Sequence, residues 1–271
     1  MNKLTSGPAI VLHFQHCAKL RTVTGNGETP KFMRLPIISG NIERRMLINF
    51  RADPSVVSKL LPPPFTPKIY RDSAIVGICL IRLKKVRVKG LPEFIGFGSE
   101  NAAHRIAVNW TLSGVKHSGV YIPRRDTSSV LNSMAGGRIF PGEHHHSEFI
   151  SKESNGTYQL NMSNTDGTKI SVRAYLSEKY NPASIFENLD TVSKFFEEGA
   201  IGYSPAKGHY DGIKLDVTKW TVKSLNVEKV ESSYFSDPTL FPEGSIEFDN
   251  ALLMENIEHE WHAMENISHC L

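Results

Sequence analysis

The sequence predicts a β-rich α+β protein whose strands form an antiparallel sheet or barrel. Three observations carry that reading. Apolar stretches with a two-residue period follow one another across short links, and two of those links, Glu153-Ser154-Asn155-Gly156 and Asn164-Thr165-Asp166-Gly167, have hairpin-turn chemistry. Helical periodicity is confined to brief stretches, so strands and helices do not alternate as they do in a parallel βαβ sheet. The count, roughly ten strands and three short helices, suits an all-round antiparallel arrangement.

Taken in order, residues 1–36 show no sustained period and carry the turn-rich Thr24-Gly25-Asn26-Gly27-Glu28-Thr29-Pro30, so they are expected to form a loosely ordered extension. Arg44 to Phe50 reads as the first strand, with Met46, Ile48 and Phe50 on one face. Asp53-Pro54-Ser55 then opens a helix. Asp53 caps free amides, Pro54 suits the first helical position, and Pro62-Pro63-Pro64 stops it. Ser73 to Val88 is a long strand in which Gly77 marks a bulge or a close backbone approach. A glycine-rich loop, Gly90 to Gly98, leads through Glu100 and Arg105 into a strand from Ile106 to Leu112, and Val115 to Ile122 forms the next.

Asp126-Thr127-Ser128-Ser129 is expected to cap a short helix that Gly136 ends. Three strands in meander spacing follow, at Glu143 to Ser151, Thr157 to Met162 and Lys169 to Leu176. A helix is expected from Asn181 to Gly199, with Ile185, Leu189, Val192, Phe195 and Phe196 on its apolar face. Lys214 to Tyr234 and Ser245 to Trp261 complete the strands. With no clean linker in between, residues 37–271 are expected to form a single domain.

Composition narrows the function. The 271 residues are 40% hydrophobic and 22% charged, as in a globular protein with its own core. The formal net charge is only +3, and the basic residues between Arg82 and Lys89 alternate with Leu83, Val86 and Val88. That is a strand with one wet face rather than a nucleic-acid arm. Cys17, Cys79 and Cys270 are odd in number and scattered, which argues against a disulfide framework and for a reducing, cytoplasmic setting. Cys79, in an apolar run, reads as a small buried hydrophobe. No apolar run approaches the ~18 residues a membrane span needs.

The densest chemistry lies in Gly136-Gly137-Arg138-Ile139-Phe140-Pro141-Gly142-Glu143-His144-His145-His146-Ser147-Glu148. On a strand, His144 and His146 share a face, and with Glu148 they would present ligands for zinc or iron; a further ligand from another strand is not identifiable. The alternative is an unusual surface strand. Glu100 and Arg105 open a strand after a glycine-rich loop, where a carboxylate can work as acid or base and a guanidinium can clamp an anion; an ordinary surface pair is the competing reading. His259 and His262 lie in a charged context that reads as exposed. There is no nucleophile elbow, phosphate loop or dinucleotide fingerprint.

Several of these segments, taken as an ordered set, resemble acetoacetate decarboxylases. Glu43-Arg44-Arg45-Met46-Leu47-Ile48-Asn49-Phe50-Arg51-Ala52-Asp53-Pro54 with Leu60-Leu61-Pro62-Pro63-Pro64-Phe65 is similar to the opening strand, helix and proline stop of that family. Gly96-Phe97-Gly98 before Glu100 resembles its Gly-Phe-Gly loop and active-site Glu, and Gly136-Gly137-Arg138 resembles the segment before its catalytic lysines. The likeness spans residues 42–150; beyond it, the Phe195-Phe196 helix and Gly202-Tyr203 look like a neighbouring branch of unknown function in the same superfamily.

The resemblance implies a closed or nearly closed antiparallel β-barrel with short flanking helices, a pocket inside it and homo-oligomers. It also implies a departure. Counted from Gly136-Gly137-Arg138, the lysine pair falls on His145 and His146, and imidazole cannot form the iminium on which Schiff-base decarboxylation depends. The expected function is therefore either lyase-type acid–base chemistry on a small carbonyl or carboxylate compound, or binding of such a ligand without catalysis. Glu100, His145 and His146 are the catalytic candidates, and Arg44, Arg105 and His144 the substrate-binding ones. Neither a cofactor nor a nucleic-acid or membrane partner is expected.

Overall fold

The computed structural model describes residues 36–130, 133 and 142–268. The 1–36 extension, apart from Pro36, and Gly136-Gly137-Arg138 lie outside the described residues, as does most of the short helix expected after Ser129.

In chain order the elements are β1 (Ile38–Ala52), α1 (Pro54–Leu60), β2 (Thr66–Pro67), β3 (Ile69–Tyr70), β4 (Ser73–Val88), β5 (Phe97–Leu112), β6 (Val115–Thr127), β7 (His145–His146), β8 (Glu148–Ser154), β9 (Thr157–Ser163), β10 (Lys169–Ser177), α2 (Leu189–Glu197), β11 (Ile201–Ala206), β12 (His209–Val217), β13 (Lys223–Ser232) and β14 (Ile246–Ser268). All the described strands belong to one sheet. Seven of them run in a ring, β1-β4-β5-β6-β11-β12-β14, which the pairing of β14 with β1 completes. At 23 residues, β14 is long enough to hold β13 along Ala251 to Leu253 and β12 along His259 to Ser268 on the same edge. From β13 the sheet continues through β10, β9 and β8.

The sheet is mixed, where a wholly antiparallel one was expected. β11 lies parallel to β6 at Gly202 opposite Val120, and β7 lies parallel to β6 at His145 opposite Asp126. The excursion from β7 through α2 explains the first exception, because parallel neighbours need a long crossover rather than a hairpin.

Local chemistry explains where the elements stop. Asp53 accepts from the Ser55 amide at 2.7 Å and opens α1. The expected 181–199 helix shortens to α2, because Asn181, Ser184 and the Ile185 amide are all hydrogen-bonded to Asp249, which holds the chain ahead of the helix in an irregular path. Asn188 then caps α2 through the Thr191 amide. The expected 214–234 strand divides into β12 and β13. Gly77 marks a close approach: a Cβ there would meet the Ile48 carbonyl oxygen at 2.3 Å, which pins β1 against β4.

Strand alternation divides the core. Even-numbered residues of β1, β4 and β5, such as Met46, Ile48, Ile78, Leu80, Ala102 and Ile106, join a large cluster with Leu160, Met162 and Val172 of the β8–β10 extension. Odd-numbered residues, including Leu47, Ile75, Cys79 and Ala107, join a second cluster with Phe186, Phe195 and Phe196.

Candidate ligand cavity

A cavity of about 130 Å³ opens on the side of the sheet that carries Arg45, Cys79 and Ala103, and every strand of the ring contributes to its wall. Its size is comparable to the ~150 Å³ engineered cavity that takes up benzene, so it suits a ligand of a few heavy atoms. Phe196 after α2's first turns, Trp220, Trp261, Ile122 and Leu215 supply apolar wall.

Three arginines and a cysteine meet there, and strand register explains how. Arg45 sits opposite Ile81 and Leu47 opposite Cys79 across β1 and β4. Cys79 is opposite Ala103, and Gly77 opposite Arg105, across β4 and β5. Ala103 is opposite Arg125 across β5 and β6. Leu47, Cys79, Ala103 and Arg125 thus form one rung across four strands, flanked diagonally by Arg45 and Arg105.

Arg105 is 4% exposed. It donates to the Asn49 side-chain oxygen and lies over the Phe196 ring at 4.4 Å, but its buried Nε has no hydrogen-bond partner among the described residues. Arg125 donates from Nε to Ser204 Oγ at 2.8 Å, while its buried Nη2 has no partner among the described residues. Arg45 donates to Cys79 Sγ at 3.4 Å and lies over Trp220 at 5.9 Å. Among the described residues, none of the three has a carboxylate within ion-pair distance. Asp126 lines the cavity but is held by Arg124 at 2.8 Å and by Ser147.

Burial lowers Arg105 to about 10, against an opposing contribution from Cys79 and with a further lowering from Arg45. Burial likewise lowers Arg125 to about 10, opposed by Cys79 and Asp211. Both remain cations at neutral pH. His144 completes the polar lining. Burial first, and the Arg125 charge second, lower its imidazole to about 3, so it is neutral at pH 7.

The structure thus brings Arg105 and His144, among the residues singled out from sequence, to one cavity. Arg44 and Glu100 lie outside it. Arg44, 1% exposed, pairs with Glu100 and lies 3.2 Å from Glu153, while Arg82 reaches Glu100 at 2.6 Å and Glu153 at 2.8 Å. Ser151 also donates to Glu100 at 3.0 Å. The reason is parity: Arg44 and Glu100 are even-numbered and face the β8–β10 side. His145 and His146 are exposed on β7, away from the cavity, and Glu148 is exposed as well. His144 and His146 do not share a pocket, because β7 begins only at His145. Among the described residues no group of three or more His, Cys, Asp or Glu gathers as a metal set. His259, expected on an exposed face, is 2% exposed against Trp261, with ring centroids 4.6 Å apart.

Arg45, Arg125 and Cys79 are the cavity residues that the sequence reading missed. The adjacent pairs Arg44-Arg45 and Arg124-Arg125 were the available signal, since two neighbours on a strand point to opposite faces.

The match of a family profile to residues 41–248 fixes the relationship. The chain belongs to the DUF2071 family. That family is described as an uncharacterised conserved protein. No curated protein matches the chain. Among solved structures, acetoacetate decarboxylase from Legionella pneumophila is similar at a TM-score of 0.57 and 12% identity, over 91% of this chain and 94% of that one. An acetoacetate decarboxylase-like enzyme from Sphingomonas wittichii aligns at a TM-score of 0.53 and 10% identity, over 89% and 97%. The enduracididine biosynthesis enzyme MppR, in complex with pyruvate, aligns at 0.51 and 9% identity, over 90% and 94%. At these identities the likeness shows a shared fold, the acetoacetate decarboxylase-like one. Among the described residues no helix is long and apolar enough to cross a membrane.

Proposed function

We propose that this DUF2071 chain receives a small organic acid or keto acid inside the ring, read as a nearly closed β-barrel. Arg105 and Arg125 hold the carboxylate, Arg45 flanks it, and Phe196, Trp220 and Trp261 cover the carbon skeleton. The observation that carries this reading is Arg105: a buried guanidinium in a cavity wall, whose Nε has no hydrogen-bond partner and which has no carboxylate partner among the described residues. A buried cation left without a counterion is costly, and a bound anion supplies both the charge and the missing acceptors. The pyruvate complex of MppR, similar in fold, agrees in ligand class.

The function is read as one without a Schiff base because His145 and His146 stand where the resemblance places the lysine pair, and imidazole cannot form the iminium. If the site is catalytic, His144 is the imidazole placed for acid–base work, since it lines the cavity beside Arg125. An arriving anion raises its proton affinity and brings it closer to use.

Calorimetric titration tests the reading. Pyruvate, acetoacetate and acetate are expected to bind and to raise the melting temperature, while the matching methyl esters do neither. Borohydride with acetoacetate is expected to leave the protein mass unchanged. Absence of binding by all three acids at millimolar concentration overturns the reading.

A further inference from the structure

Cys79 has surroundings unlike those of an ordinary packed thiol. It is 8% exposed and lines the cavity between the arginines. Arg45 donates to its Sγ at 3.4 Å. Its rung neighbour toward Arg125 is Ala103, which carries only a methyl group. Arg105 and Arg125 line the same cavity, so the sulfur shares its wall with three guanidinium groups. Independently, the Nε of buried Arg105, without a partner among the described residues, is the acceptor-seeking group that the anion-binding reading above assigns to a ligand. Among the described residues of the wall, neither lysine, serine, threonine nor tyrosine offers an alternative nucleophile.

We propose that Cys79 is a nucleophile of this cavity and adds reversibly to the keto carbon of a 2-oxo acid whose carboxylate the arginines hold. The inference rests on the anion-binding reading above. In the step, a sulfur lone pair forms the C–S bond, and the carbonyl π pair moves onto oxygen. The proton lost from sulfur ends on that oxygen. The product is a hemithioketal, with nothing oxidised, reduced or expelled, and reversal returns the ketone and the thiol. Arg125, one rung position beyond Ala103, is placed to stabilise the developing alkoxide.

The test uses the full chain with iodoacetate and iodoacetamide, and peptide mass spectrometry to separate Cys79 from Cys17 and Cys270. Cys79 is expected to prefer the anionic reagent over the neutral one by about tenfold more than glutathione does, as a cationic cleft concentrates anions. Saturating pyruvate is expected to protect it. With [2-¹³C]pyruvate, the bound carbonyl carbon is expected to move to the hemithioketal region in the wild type. Cys79→Ser should still bind pyruvate but lack that signal. Should pyruvate bind while Cys79 shows glutathione's reagent preference and no hemithioketal forms, the nucleophile is refuted and the anion cavity stands. Should pyruvate and the other acids not bind, both fall together.

Discussion

Two pairs of adjacent arginines divide the same way. In Arg44-Arg45 the first residue is locked to Glu100 and lies 3.2 Å from Glu153, while the second faces the cavity with no ion pair among the described residues. In Arg124-Arg125 the first is bound to Asp126 and Asp166, at 2.8 and 2.7 Å, while the second faces the cavity with Nη2 unsatisfied. Each pair straddles a strand, so one member is spent on joining sheet elements and the other is left over. The side with paired charges is built to be stable, since a buried cation there already has its carboxylates. The cavity side keeps cations that form no ion pair among the described residues. The comparison predicts opposite outcomes for mutations on the two sides.

The largest effect is expected at Glu100. Glu100→Ala leaves Arg44 buried with Glu153 as its remaining partner, and should destabilise the protein by about 3 kcal/mol, the cost of breaking a buried pair. Chemical denaturation measures this, and calorimetry should show pyruvate affinity unchanged. A fall in affinity without a loss of stability would place Glu100 in the site and dissolve the contrast.

Arg105→Met should do the reverse. Losing a charge-assisted pair costs about 1.5–3 kcal/mol of binding, a roughly tenfold to hundredfold weaker affinity for pyruvate. Stability should change by less than about 1 kcal/mol, because removing an unneutralised buried cation offsets the lost bond to Asn49. Calorimetry and denaturation on the same sample check both halves.

Histidines on the two sides sharpen the comparison through pH. His104, 0% exposed and 3.1 Å from Ser232, is lowered by burial to about 4, and His144 in the cavity to about 3. Their unfolded imidazoles take up protons near 6.5, well before the folded ones. Between these values the unfolded state holds more protons, so the stability present above pH 6.5 is lost as pH falls toward 4. Each contributes about 1.4 kcal/mol per pH unit across that window. Saturating pyruvate should raise the proton affinity of His144 and leave His104 as it was. Histidine NMR titration with and without ligand distinguishes them, and an equal response of both would break the contrast.

How much of this was legible in the sequence depends on whether local chemistry or strand parity decides. The cap at Asp53, the stop at Pro62, the Ser73–Val88 strand and the hairpin turns are local, and the structure has them where the sequence puts them. The parallel pairing of β6 with β11 depends on where an excursion of some seventy residues returns, and no local signal encodes that. The cavity depends on parity. Arg44 and Arg45 are chemically identical in sequence, and the register shift between Ile42 and Arg44 against β4 helps decide which of them turns inward. A second shift, between His104 and Ile106 against β6, does the same for Arg124 and Arg125. Arg105 and His144 could be singled out by type, whereas Arg45 and Arg125 became distinguishable only once the ladders were known.

The smallest effect is expected at the residues that are most conspicuous in the sequence. His145 and His146 form β7, a two-residue strand on the rim of the sheet, and both side chains are exposed. The attachment of β7 to β6 is made by backbone pairing, at Asp126 with His145 and Thr127 with His146, and by the Ser147 amide donating to the Thr127 carbonyl at 2.9 Å. Alanine at either position keeps all of these bonds. His145→Ala and His146→Ala should each change stability by less than about 0.5 kcal/mol, as surface substitutions usually do, and leave pyruvate affinity unaltered. His144→Ala removes cavity wall beside Arg125 and should change affinity measurably. On these outcomes, of three consecutive imidazoles only His144 would bear on binding. A loss of binding in His145→Ala equal to that in His144→Ala would mean that β7 moves into the cavity when ligand arrives.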